Sequence, residues 1–216
     1  MRFGILGTGS VGQAIGSKLC SLGYDVRMGA RSASNEKAAA WAKRNPDKAT
    51  FGTYADAAAF GEILFHCTQG ASAIEALRAA GEGNLGNKVL VDVSNPLDFS
   101  KGGPPTLFVS NTDSLGEQIQ RAFPQVRVVK ALNTVTAEVM VNPSGIGEGE
   151  HAVFVCGNDT TAKAQVTSLL SEGFGWRQVL DLGDISSARG TESYLLLWLR
   201  LWGALGTPNF NVRIVR

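Results

Sequence analysis

The chain has 216 residues, 44% of them hydrophobic and 18% charged, with a formal net charge of +1. This balance describes an ordinary globular protein, long enough for one large domain over residues 1–216 and short for two. Near-neutral charge offers no basic field to a nucleic acid. The longest apolar stretch, 194–205, is interrupted by Arg200 and falls well short of the ~20 residues that span a bilayer.

The clearest signal comes first. Phe3, Gly4, Ile5 and Leu6 lead into Gly7, Thr8, Gly9, Ser10, Val11 and Gly12, a G-x-G-x-x-G turn. Apolar residues then recur at helical spacing (Val11, Ala14, Ile15, Leu19, Leu22) until Gly23, and a strand over 24–28 follows. That strand–turn–helix–strand setting is what a dinucleotide-binding turn requires. Gly7 permits the tight turn, Gly9 lets the backbone approach a pyrophosphate, and Gly12 lets the helix pack on the sheet. The phosphates would sit on the helix N-terminus, where free N–H groups and the dipole favour anions.

Next come Gly29, Ala30, Arg31 and Ser32. An NAD-specific site carries Asp or Glu here, about 20 residues beyond the glycines, to accept from the ribose 2′-hydroxyl. This chain has a guanidinium and a hydroxyl instead, with Thr8 as a further donor, a set that suits a 2′-phosphate and so favours NADP(H).

Ser34 is expected to cap a helix over 35–44, stopped by Asn45 and Pro46. A short strand (50–53), a short helix (54–60) and a continuous apolar strand (62–67) lead to the polar turn Thr68, Gln69, Gly70 at a carboxyl edge, where open α/β sheets bind ligands. A helix over 71–80, a strand over 88–93 and the turn Ser94, Asn95, Pro96 come next. Residues 94–112, centred on Lys101, Gly102, Gly103, Pro104 and Pro105, read as a long irregular connection, either a binding loop or a surface insertion. Then follow a helix (114–122), a strand (127–131) ending in Asn133, Thr134, Val135 and Thr136, a strand (151–156), a helix (159–171), a strand (177–182) and a final helix (187–205). The alternation predicts an α/β, Rossmann-like doubly wound, mostly parallel sheet with a C-terminal apolar helix. That helix, apolar nearly all round with Trp198 and Trp202 one turn apart, is expected to pack on the sheet with one side and on a second subunit with the other, giving a homodimer.

Cys20, Cys67 and Cys156 are far apart and set in apolar patterns, as reduced core thiols are. His66 beside Cys67 suggests a metal ligand, but with two histidines in the chain no four-ligand group assembles, so no metal is expected. The strand starting at Arg2 leaves no room for a signal peptide, and a cytoplasmic location is expected. There is no Tyr-x-x-x-Lys pair, His66 lies within a strand and Lys101 on a loop, so no acid–base residue is identified. Hydride transfer to a flavin-like acceptor needs mainly proximity and alignment, and fits such a site better than ketone reduction does.

Six stretches together resemble the NADP-dependent deazaflavin (coenzyme F-420) oxidoreductases, and equally the cytoplasmic reductase domain of the six-transmembrane metalloreductases. They are residues 1–12 with Thr8; Gly29 to Ser32; Val91, Asp92, Val93, Ser94, Asn95, Pro96; Lys130, Ala131, Leu132, Asn133, Thr134; Val155, Cys156, Gly157, Asn158, Asp159; and Asp181, Leu182, Gly183 through Arg189 and Glu192. The resemblance implies that Thr8, Arg31 and Ser32 hold the 2′-phosphate and that the Ser10 and Val11 amides hold the pyrophosphate. It implies further that Thr68 and Gln69 line the cofactor, and that Asn95, Pro96, Asn133 and Thr134 surround the nicotinamide, Asn133 and Thr134 positioning it for reaction. Two positions depart from the pattern: Asn133 stands where the archaeal deazaflavin enzymes typically carry His, and Ala30 where a Ser would touch phosphate. The expected activity is hydride transfer between NADP(H) and a small-molecule flavin or deazaflavin acceptor. The alternatives are an NADP(H)-binding sensor or partner subunit without its own catalysis, and a small imine or carbonyl reductase.

Overall fold

The computed structural model describes residues 1–102 and 104–216, so Gly103 of the expected 94–112 connection lies outside the described residues. Short apolar strands separated by helices leave little choice of architecture, because each strand must bury both faces. β1 (Arg2–Leu6) passes through α1 (Ser10–Ser21) to β2 (Asp25–Ala30), and β2 through α2 (Glu36–Arg44) to β3 (Ala49–Thr53). The chain then crosses over by α3 (Tyr54–Phe60) to β4 (Ile63–His66), and by α4 (Ala73–Ala80) and α5 (Glu82–Leu85) to β5 (Val89–Asp92). A small hairpin, β6 (Leu97–Asp98) and β7 (Thr106–Leu107), precedes α6 (Leu115–Ala122) and β8 (Arg127–Ala131). The remaining elements are α7 (Ala137–Val141), β9 (Ala152–Gly157), α8 (Thr160–Ser168), β10 (Gln178–Asp181) and α9 (Ala188–Leu205).

Eight strands form one sheet in the order β3-β2-β1-β4-β5-β8-β9-β10. The six from β3 to β8 are parallel, β9 runs antiparallel to β8, and β10 follows β9. This is a Rossmann-like doubly wound fold. Strand order reverses between β1 and β4, and helices on opposite faces leave a crevice at the carboxyl ends there. Alternate residues feed two cores: Phe3, Ile5, Ile15, Trp41 and Phe65 on one face, Leu6, Leu64, Leu77, Leu90 and Leu115 on the other. Among the described residues no helix is long and apolar enough to cross a membrane.

Local details correct several expectations. Asn35, not Ser34, caps α2, its Oδ1 accepting from Ala38 N at 3.0 Å, because the Ser34 hydroxyl is engaged with Ser32 at 2.8 Å. Gly29 and Ala30 belong to β2, which pairs with β3 as far as Ala30 opposite Thr53. The 94–112 connection carries a small hairpin that its sequence does not announce: Leu97 pairs with Leu107 and Asp98 with Thr106, and the Phe108 amide donates to the Pro96 carbonyl. The helix after Asp159 continues past Ser168 as a π-turn over Leu169–Phe174. α9 packs mainly on α6 and the β7 hairpin strand rather than across the sheet, burying Ala188, Thr191, Glu192, Leu195 and Trp198 along one stripe. Leu196, Leu197, Trp202 and Leu205 stay exposed.

Candidate functional site

The carboxyl ends of β1, β4 and β5 open onto a cleft of two cavities, about 1040 and 210 Å³, that share Cys67, Thr68 and Gln69 in their walls. The turn leaving β4 is the partition because β4 is the first strand beyond the reversal of order. The shape is that of an extended ligand crossing the sheet edge.

The three glycines of the first turn separate by what surrounds them. Gly7 has φ +126°, and a Cβ there would lie 2.5 Å from the Cys67 carbonyl oxygen; only glycine lets β1 turn this close to β4. At Gly12 a Cβ would sit 2.3 Å from the Gly7 carbonyl oxygen, so α1 can press on the turn only without a side chain. Gly9 is different. Its backbone is extended (φ −75°, ψ −178°), and a Cβ would meet nothing within 4 Å. The fold itself has no use for glycine at this position, whereas a diphosphate lying against the backbone does. Gly9 is also the N-cap of α1, with no side-chain cap and no acidic residue in the first turn, so the amides that open this twelve-residue helix have no side-chain competitor for an anion.

Thr8 and Arg31 line the smaller cavity with Gly7 and Gly9, joined by Tyr54 and Glu75. Ser32 stands outside that wall, exposed, with its oxygen turned to Ser34. Ser10, Val11 and Asn95 line the larger cavity. Asn133 is buried one layer back: its Nδ2 donates to Asn95 Oδ1 at 3.0 Å, and Asn95 Nδ2 donates to the Asn133 carbonyl at 2.8 Å. The left-handed backbone of Leu132 (φ 63°) leads into Asn133, an unusual conformation for a buried branched residue that only tight surroundings sustain. Thr134 and Pro96 are buried too, and Thr134 Oγ1 has no hydrogen-bond partner among the described residues.

Behind the shared partition lies a chain of buried ionisable groups. His66 Nδ1 is 2.9 Å from Asp92 Oδ1 and its Nε2 is 2.7 Å from Thr68 Oγ1. Lys130 Nζ reaches Asp92 Oδ2 at 2.8 Å, Glu192 Oε1 at 2.7 Å and the Ser94 carbonyl at 2.6 Å. Glu192 also accepts from the Leu115 and Gly116 amides that open α6, and Arg189 clamps Glu117 through two bonds. Burial alone would raise the Asp92 carboxyl; the Lys130 ammonium and the His66 bond outweigh it and hold the group well below the usual carboxylate range. Burial likewise opposes the Lys130 charge, and Asp92 and Glu192 more than restore it, raising Lys130 above its ordinary value. Among the described residues no group of three or more His, Cys, Asp or Glu side chains is placed to hold a metal ion.

The model of the family described as NADP oxidoreductase, coenzyme F420-dependent, matches residues 2–96. A crystal structure from Arthrobacter sp. FB24, provisionally assigned as an F420-dependent NADP-reductase, is 50% identical over 100% of both chains, with a TM-score of 0.95. The chain belongs to the F420-dependent NADP oxidoreductase family. Similar curated proteins include the F420-dependent NADP reductase of Methanothermobacter marburgensis, 26% identical over 99% of this chain and 98% of that one. Metalloreductase STEAP3 of Rattus norvegicus is 28% identical over 93% of this chain. The chain spans 38% of that metalloreductase's length and 36% of that of human STEAP2.

Within this family member, sequence reasoning missed the far walls of both cavities. Tyr54 and Glu75 come from helices with no motif of their own. Leu97, Phe99 and Phe108, in the larger cavity, sit on the hairpin read as irregular chain; two phenylalanines near a Gly-Pro turn were the available signal. Asp92 between two valines, and Lys130 between Val129 and Ala131, were a stronger one, since a charge inside a buried strand needs a partner.

Proposed function

We propose that this chain is an NADP(H)-dependent oxidoreductase, acting as a single NADP-binding unit over residues 1–216, that moves a hydride between NADP(H) and a planar flavin- or deazaflavin-class acceptor. The observation that carries this reading is the bipartite cleft. Its smaller half, with Thr8 and Arg31, suits the adenosine 2′-phosphate. The open face of Gly9 and the uncapped start of α1 suit the diphosphate, and the larger half has room for the nicotinamide and a second aromatic ring system together. Gly7 and Gly12 shape the turn, Ser10 and Val11 supply amides, and Thr68 and Gln69 line the path between the halves. Ser32 assists only if its oxygen leaves Ser34. Asn95 meets the nicotinamide, held by Asn133, while Pro96 and Thr134 support the wall. Bound NADPH supplies the hydride. The chain orients the ring, excludes water with Ile74, Leu97, Phe99 and Phe108, and offers aromatic faces to a flat acceptor. Coenzyme F420, which stands beside NADP in the family description and in the names of its relatives, supports a deazaflavin as the partner of NADP(H) in this exchange.

A homodimer through α9 belongs to the same proposal, supported by exposed Leu196, Leu197, Trp202 and Leu205. The test is oxidation of NADPH by purified protein with deazaflavin F420, FMN, FAD and riboflavin in turn. Turnover with one of them, selective for NADPH over NADH, is expected. Selective NADPH binding with no turnover on any acceptor would replace the enzyme by a sensor or partner subunit.

A further inference from the structure

The buried chain Glu192–Lys130–Asp92–His66 ends on a side chain of the cleft, and hydrogen-bond polarity can be followed along it. Asp92 is ionised and therefore only accepts. Its Oδ2 takes Lys130 Nζ, and its Oδ1 takes the Ser94 amide at 3.1 Å, the Ser94 hydroxyl at 2.7 Å and His66 Nδ1 at 2.9 Å. Glu192 is satisfied by Lys130 and by two amides at the start of α6. Because ionised Asp92 can only accept, the ring faces it with a proton on Nδ1; on a ring that carries one proton, Nε2 is then the acceptor. The group facing Nε2 at 2.7 Å is the Thr68 hydroxyl, which must donate; its other acceptor, the Gln69 carbonyl, is at 3.4 Å.

We propose that His66, oriented by Asp92, is a positioning residue that commits the Thr68 hydroxyl hydrogen inward, so that Thr68 presents only an oxygen lone pair to the point where the two cavities meet. This rests on the NADP(H) reading above and adds a recognition rule to it. The part of the cofactor at the partition must bring a hydrogen-bond donor, which on the nicotinamide-bearing half is either the carboxamide NH₂ or a ribose hydroxyl. A side chain that could rotate its hydroxyl would accept either polarity; a locked one rejects a ligand that brings only acceptors, because the buried pairing behind it would have to break.

Two measurements test this. Long-range ¹H–¹⁵N correlation spectra of the protein without ligand report the tautomer of each histidine, and with two histidines in the chain the variant His151→Gln assigns them. His66 as the neutral Nδ1–H tautomer is expected; an Nε2–H tautomer or an imidazolium at pH 8 would overturn the proposal. Calorimetric titration with NADP⁺ and with its 3-acetylpyridine analogue, which lacks the carboxamide NH₂, is then made on wild type, Thr68→Val and Thr68→Ser. Thr68→Val should weaken NADP⁺ roughly three- to tenfold, the loss of one uncharged hydrogen bond, and Thr68→Ser should restore it. A loss confined to NADP⁺ identifies the carboxamide as the donor, and an equal loss on both identifies the ribose hydroxyl. Equal affinities of Thr68→Val and wild type for NADP⁺ would refute the assignment. Failure of wild type to bind NADP⁺ would instead remove the functional reading and the ligand assignment with it, while the tautomer still reports on the hydroxyl.

Discussion

Replacing Gly9 by Ala separates what the fold requires from what a ligand requires. The backbone at Gly9 is extended, a conformation open to any residue, and an added Cβ meets nothing within 4 Å. Two small effects remain on stability. Alanine is a poorer N-cap than glycine, at a cost of about 0.5–1 kcal/mol, and the unfolded chain loses freedom, which returns about 0.4–1 kcal/mol. These nearly cancel, so thermal unfolding should move by no more than about 3 °C for a chain of this size. The methyl group would, however, occupy the surface against which the diphosphate lies. Losing even one of its charge-assisted amide bonds removes about 1.5–3 kcal/mol, roughly ten- to a hundredfold in NADPH affinity. Differential scanning fluorimetry and calorimetric titration measure both quantities on one sample. Gly12→Ala is the contrasting control: its Cβ would lie 2.3 Å from the Gly7 carbonyl oxygen, so it should lower stability outright. A Gly9→Ala protein that binds NADPH like wild type would refute the placement of the diphosphate, and one that unfolds would show Gly9 to be structural.

Arg31→Ala should lower NADPH affinity roughly ten- to a hundredfold with little change for NADH; equal losses in parallel titrations would make Arg31 a structural residue. Phe99→Ala and Phe108→Ala should each raise the KM for the acceptor about two- to tenfold while leaving the NADPH dissociation constant unchanged, as expected of aromatic contacts. Lys130→Met would leave Asp92 and Glu192 buried without their cation and should cost about 3–5 kcal/mol in urea unfolding. Stability should also fall in acid. The fork of Arg121 holds the Asp113 carboxyl at about 2, and Asp92 too is depressed. A carboxyl depressed in the folded state contributes stability above its unfolded value near ~4 and loses it as pH falls through the folded value. Urea midpoints should therefore hold from neutrality to about pH 5 and decline below about pH 4; no decline there would contradict the assigned pairings.

The sheet was legible because its signals are local and strong. β1 with its glycine turn, the apolar stripe of α1 and the continuous apolar β4 each announce one state, and parallel strands joined by helices leave few topologies. The β6–β7 hairpin was hidden because two residue pairs give no periodicity to read. The cap of α2 was misplaced by one residue because Ser34 and Asn35 are both good caps, and only the Ser32–Ser34 contact decides between them. Along the cleft, the positions of Thr8, Gly9, Arg31, Thr68 and Gln69 in the cavity walls could be foreseen because each stands in or beside the turn that ends a strand. The depth of Asn133 could not: its side chain answers to Asn95, 38 residues away. His66 was set aside as a strand residue without a role, since its partners Asp92 and Lys130 lie on other strands that come together only in the sheet.

The most direct test of the account is a single turnover with NADPH deuterated at nicotinamide C4 on the transferred face, mixed anaerobically with the protein and deazaflavin F420. The label is expected to appear carbon-bound in the reduced deazaflavin, passed directly within the cleft. Reduced deazaflavin without label, at full consumption of the labelled hydride, would contradict direct transfer, and no reduction despite saturating NADPH would contradict the activity itself.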